Sequence, residues 1–183
     1  MTINNEQLKE TFHQVVTIQT ALSKDVSQVK LEKNNLYKFV PSYLAKIYSS
    51  QYKKATEFAD SVTKAAYESS VVLLVATFER VIFAKYRTSY GALKNVVRDH
   101  SQRPLDYYLS REKFINTSID KLAAIIDLFD GHIDAELMNK LKIIKEHRNY
   151  IAHGKRDSLP PAVEYSIEEI AKTLDDVILE IEK

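Results

Sequence analysis

A guanidinium, a carboxamide and an imidazole stand close together in the run Arg148-Asn149-Tyr150-Ile151-Ala152-His153. The apolar residues Leu137, Leu141, Ile144 and Ile151 recur at helical spacing, so the run continues a helix, and Arg148 falls where that spacing asks for Leu or Ile. An inward-facing guanidinium is costly unless paired, so either a carboxylate meets it or it lines a cleft that water and substrate enter. Glu79 is the candidate partner. It interrupts the most apolar helix of the chain between Phe78 and Val81-Ile82-Phe83, and Arg80 beside it is nearly as exceptional. Asn149 and His153, four residues apart, share one helical face, with Arg148 about 100° round from Asn149. His153 precedes Gly154 in the last helical turn, where free carbonyls favour an imidazolium. An imidazole so placed works as an acid as well as a base. The same residues also suit a buried ion pair and a C-terminal helix cap with no chemistry attached.

Charge is uneven around this run. The net charge of +1 leaves no overall electrostatic footprint for nucleic acid. From 140 to 156, however, Lys140, Lys142, Lys145, Arg148, Lys155 and Arg156 face Glu146 alone, whereas 157–183 carries eight acids against Lys172 and Lys183. Alternating solvated helix faces would give the same pattern.

The hexapeptide resembles the R-x4-6-H motif of HEPN domains, with a polar residue directly after the arginine as in their ribonuclease members. HEPN domains are helical bundles of about this size, with the motif late in the chain on a helix and an acidic residue on an earlier helix. The resemblance implies an endoribonuclease in which two motifs face each other across a dimer cleft and cut RNA through its 2′-hydroxyl without metal or other cofactor. Carried onto this chain, it makes Arg148, Asn149 and His153 catalytic and Glu79 supporting. Lys145, His147, Lys155 and Arg156 become candidate RNA contacts. The partners it implies are RNA, a second copy of the chain, and an antitoxin or other regulatory protein, in a bacterial defence or toxin setting. One branch of the family carries a tyrosine two residues after the histidine; Lys155 stands there, so this chain departs from that branch. The rival readings are a catalytically inactive HEPN-like module that binds nucleic acid or protein, and a helical adaptor that pairs with another chain through its first helix.

The elements that must position these residues are helices. A length of 183 residues suits one domain with one core, and three Gly and four Pro leave few turns. The expected architecture is an all-α, single-domain bundle of about five to seven helices, with a long N-terminal helix over 1–40 and the motif-bearing bundle over 41–183. Leu8, Phe12, Val15, Leu22, Val26 and Val29 form a narrow seam on the first helix, interrupted by Gln19 and ended by Pro41. Leu44, Ile47, Ala55, Phe58, Val62, Ala65 and Ala66 keep helical spacing, with room for a break near Asp60-Ser61. The stretch from Val71 to Phe78 is apolar all round and marks the central helix. Residues 89–109 read as a connection, where Gly91, Pro104, Tyr90, Tyr107 and Tyr108 mix with Lys94, Arg98 and Arg103. Such a loop can hold single-stranded nucleic acid or pack its rings on the core. Next comes a helix with Ile115, Ile119, Leu122, Ile126 and Phe129, closed by Gly131. Asp134 caps the motif helix, and Pro160-Pro161 begins a last amphipathic helix.

The chain lacks cysteine, which excludes disulfides and thiolate zinc sites, and no apolar run approaches the roughly 20 residues that span a bilayer. No signal-peptide pattern opens the sequence, so the cytoplasm is the expected compartment. His13, His100 and His132 are isolated, and His147 reads as a surface neighbour of the motif. None stands at ligand spacing from carboxylates, and neither a P-loop, a Gly-rich nucleotide fingerprint nor a nucleophile elbow is present.

Overall fold

Continuous hydrogen-bonded helix is the natural answer of a chain with so few residues that break one. The structure, a computed structural model, describes residues 1–31, 55–101, 123, 133–154 and 165–182. Its regular elements there are α1 (Glu6–Leu31), α2 (Ala55–Ser101), α3 (Ala135–Ala152) and α4 (Ile167–Ile181), with no strand among the described residues. The fold is all-α. The helices expected after Pro41 and over 115–129 lie outside the described residues, apart from helical Ala123.

Helix α2 runs unbroken for 47 residues. It passes through Asp60-Ser61 without a break, and 89–101, expected as a connection, is helix instead. An isolated glycine such as Gly91 costs a helix only about 1 kcal/mol relative to alanine, so without a nearby proline it does not end one. Pro104 is the first residue after it that the helix cannot absorb.

The other three helices all pack on α2, and α4 also meets α1 and α3. Leu8 and Val15 of α1, Leu74 and Phe78 of α2, Leu141 and Ile144 of α3, and Ile170, Leu174 and Ile178 of α4 are at most 2% exposed and form one core. The α1 seam is therefore spent inside the molecule over its first half, and the residues that interrupt it have partners on α2. Gln19 Nε2 donates to Ser70 Oγ at 3.2 Å, and the hydroxyls of Thr11 and Thr77 lie 3.1 Å apart. As α1 rises in number along these contacts α2 falls, so the two are antiparallel. Tyr67 Oη donating to the Tyr165 carbonyl and Lys85 pairing with Glu182 set α4 parallel to α2.

Helix ends are fixed by side chains. Asp134 accepts from the backbone of Glu136 and Leu137, both at 3.0 Å, as expected of a cap. Helix α4 starts at Ile167 rather than at the proline pair, because Ser166 and Glu169 form a capping box. Ser166 N donates to Glu169 Oε2 at 2.8 Å, and Glu169 N to Ser166 Oγ at 3.2 Å. The Ser166 backbone N–H, followed by its hydroxyl, holds the Glu169 carboxyl below its ordinary range.

Among the described residues one carboxylate is fully buried. Asp175 of α4 is 0% exposed and accepts from Asn4 N at 2.9 Å, Asn4 Nδ2 at 3.0 Å and Asn5 N at 2.8 Å. Asn5 in turn caps α1 by accepting from Leu8 N at 3.1 Å. The Asp175→Ala variant strands two backbone N–H groups against the core and is expected to lose about 2–4 kcal/mol of unfolding free energy in a urea titration. A loss below about 0.5 kcal/mol, the scale of an ordinary surface change, would show that this staple contributes nothing.

No helix among the described residues is long and apolar enough to cross a membrane.

Candidate active site

Arg148 sits at the margin of the buried stripe of α3, which comprises Met138, Leu141, Ile144 and His147. Its side chain is 28% exposed, so the guanidinium is half-buried rather than sealed in the core. Glu79 occupies the matching margin of α2, between buried Phe78 and buried Val81, with a side chain 18% exposed. The two meet: Arg148 Nη2 donates to Glu79 Oε2 at 2.9 Å. The pairing anticipated from two charged exceptions on apolar helices is present.

Asn149 completes the arrangement, because Arg148 Nη1 donates to its Oδ1 at 3.0 Å. Both ends of the guanidinium fork are thus fixed, one by a carboxylate from another helix and one by the neighbouring carboxamide. The inner Nε is buried and has no hydrogen-bond partner among the described residues. Such an arrangement holds a cation in one orientation while leaving part of its donor set unused.

His153 lies one turn beyond Asn149 and caps α3, its backbone N–H donating to the Asn149 carbonyl at 2.9 Å. Gly154 follows at φ +69°, the left-handed conformation that ends the helix, and donates to the Ile151 carbonyl at 3.0 Å. The imidazole is exposed and has no hydrogen-bonding partner among the described residues.

The outer candidates divide. Lys145 is half-buried on the same helix. His147, expected at the surface, is 4% exposed, with its ring 5.7 Å from that of Tyr67. It continues the Leu141–Ile144 stripe at a spacing of three, so the helix turns it inward and withdraws it from any surface contact with RNA. Lys155 and Arg156 lie outside the described residues. Farther along α3, Lys140 pairs with Glu136 at 2.7 Å, and that hydrogen bond raises its pKa. Among the described residues no group of three or more His, Asp or Glu is arranged to hold a metal ion.

Arg80 was the second charged exception of α2. It is exposed, and its Nη2 reaches Thr77 Oγ1 at 3.3 Å, so it faces away from the Arg148 pair. Comparison of the chain with protein-family models, with curated proteins and with solved structures finds no match.

Proposed function

We propose that the chain is a metal-independent endoribonuclease of the HEPN type, using Arg148, Asn149 and His153 as its catalytic set. The observation that carries this reading is the fixed guanidinium of Arg148, oriented by Glu79 and by Asn149, with an exposed histidine one helical turn beyond that Asn149. Phosphodiester transfer needs those two functions: a cation for the charge that develops on phosphorus, and a group that moves a proton near neutral pH. In the proposed step the 2′-oxygen of the ribose attacks phosphorus as its proton departs, and the bond to the 5′-oxygen breaks as that oxygen gains a proton. His153 serves one of these transfers. Its counterpart from a second copy serves the other, so the working form is a homodimer with two motifs in one cleft. Asn149 keeps the guanidinium aligned with the phosphate.

The proposed bundle holds five to seven helices: the four described, with the others after Pro41 and over 115–129. An antitoxin or other regulatory protein, and a role in bacterial defence within the cytoplasm, belong to the same proposal through the family resemblance. Labelled single-stranded RNA and the matching DNA, incubated with the protein in excess chelator, test it. RNA is expected to be cut and DNA to survive, because DNA lacks the attacking hydroxyl. Intact RNA, or loss of cutting in chelator, would contradict the proposal. Sedimentation at micromolar concentration is expected to show a dimer, and a strict monomer that still cuts RNA would contradict the composite site.

A further inference from the structure

Helices α1 and α2 share an outward face whose centre is apolar. Apart from Met1, the exposed large hydrophobic residues among those described are Ile18 of α1, 56% exposed, and Leu73 of α2, 43% exposed. The hydroxyls of Thr11 and Thr77, 3.1 Å apart, bring the two together. Ile18 lies two turns beyond Thr11 and within about 20° of it round α1, while Leu73 lies one turn before Thr77 and about 40° from it round α2. With the antiparallel level set by the Thr11–Thr77 and Gln19–Ser70 contacts, Ile18 and Leu73 fall about 4 Å apart along the helices. They flank the same edge of the α1–α2 contact. Gln14, Ser69 and Ala76 around them are exposed and uncharged.

The same two rows carry a charge at each end. Asp25 stands seven residues beyond Ile18 and Arg80 seven beyond Leu73, both exposed and each within about 20° of its predecessor round the helix. Because the helices run in opposite directions, the acid and the base lie on opposite sides of the Ile18–Leu73 midpoint, each about 12 Å from it. Among the described residues Asp25 makes no ion pair, and Arg80 reaches only Thr77 Oγ1 at 3.3 Å. A single exposed leucine needs no explanation. An apolar centre with unlike charges at equal distances on either side is different, because the pattern complements itself under a half-turn. An axis across both helices at the midpoint sets Ile18 and Leu73 of two copies together and turns each Arg80 toward Asp25 of the second copy. A polyanion would meet one cation, an acid and an apolar centre.

We infer that the Ile18–Leu73 face, with Asp25 at one end and Arg80 at the other, is the surface through which two copies of this chain pair about a two-fold axis. The inference rests on the proposed homodimer for the presence of a second copy, and it assigns the face, the register and the charge pairs. It also fixes where the candidate sites fall. Glu79 lies about 100° round α2 from Arg80, on the side away from Thr77 and α1. A half-turn about an axis across the helices leaves both α1 edges on one flank of the dimer and both Glu79–Arg148 pairs on the other. Two motifs then border one groove, although neither takes part in the contact.

Sedimentation of the full chain over a concentration series, near 0.1 M salt, measures the dimer dissociation constant and tests the face by charge reversal. Arg80→Glu and Asp25→Arg should each weaken the dimer by roughly tenfold, since each change sets like charges together twice per dimer. The double variant Arg80→Glu, Asp25→Arg should return the constant to within about threefold of wild type. Within one copy the two residues stand about 25 Å apart, beyond the reach of direct pairing, so rescue can arise only between copies. Leu73→Glu, at the centre of the face, should weaken the dimer by at least about 100-fold. All four variants change exposed side chains, and their helical circular dichroism should match wild type. Unchanged constants in the single variants, or no rescue in the double variant, overturn the face. A wild type that dimerises while Leu73→Glu dimerises equally well pairs through another surface, which removes the face and leaves the homodimer reading intact. A wild type that stays monomeric throughout removes both. RNA cutting is scored apart: a dimer with the predicted rescue that never cuts keeps the face and removes the ribonuclease reading.

Discussion

His153→Ala is expected to lower the rate of the proposed RNA cleavage by roughly 10²–10⁴, the range for loss of a general acid or base, and to leave the unfolding free energy within about 0.5 kcal/mol of wild type. The two halves of that result come from one observation. The imidazole is exposed and holds nothing together among the described residues, so removing it subtracts chemistry and not packing. Its backbone role as the cap of α3 survives in alanine, and Gly154 still supplies the left-handed turn. Arg148→Ala is expected to lower the rate over the same range, but it also strands the Glu79 carboxylate and therefore costs stability. Single-turnover rates at saturating RNA, with urea unfolding of the same preparations, check both. An alanine variant of His153 as active as wild type would reduce the motif to a helix terminus.

The second large effect is on the fold. Glu79→Ala removes the carboxylate that neutralises a half-buried guanidinium whose Nε has no partner among the described residues, and is expected to cost about 1.5–3 kcal/mol. A fully buried pair would cost about 3–5 kcal/mol, but the two side chains are 28% and 18% exposed, so water recovers part of the loss. Glu79→Gln keeps a hydrogen-bond acceptor and should recover about half. Activity should fall in Glu79→Ala by about tenfold or more, because a guanidinium released from one anchor no longer faces a single direction. A double-mutant cycle with Arg148→Ala isolates the pair. If the two single losses simply add, the contact is not energetically coupled, and Glu79 does not position Arg148.

The ion pair was legible because each partner broke a strong pattern: a charged residue in an apolar helical stripe must meet something, and Glu79 and Arg148 carry opposite charges. The ends of α3 were legible for a similar reason, Asp134 and Gly154 being residues whose types suit only their positions. Other features were hidden by competing signals. Pro160-Pro161 drew the start of α4 too early, although Ser166-x-x-Glu169 ahead of an apolar run carries the capping box in the sequence itself. His147 was readable as buried from its spacing after Ile144, but a histidine next to a basic run looks like a surface residue until the helix face is fixed. Asp175 could not be found in this way. Helical spacing puts it at the edge of the apolar stripe, about 100° from Leu174, but its partners are the backbone and carboxamide of residues about 170 positions earlier, which no local pattern reveals. Continuity of α2 through Gly91 had the opposite character, since composition suggested a loop and local propensity was too weak an objection to stop a helix.

The bond broken in the proposed cleavage of RNA distinguishes attack by the 2′-oxygen from attack by water. Digestion of a defined single-stranded RNA in excess chelator, with mass analysis of both new ends, reads this directly. The predicted products are a 5′ fragment ending in a 2′,3′-cyclic phosphate, or its hydrolysed monophosphate, and a 3′ fragment beginning with a free 5′-hydroxyl, since the 2′-oxygen forms the new bond to phosphorus as the 5′-oxygen leaves. A 5′ fragment ending in a free 3′-hydroxyl, paired with a 5′-phosphate, would show that water attacked instead and would contradict the assignment of Arg148 and His153.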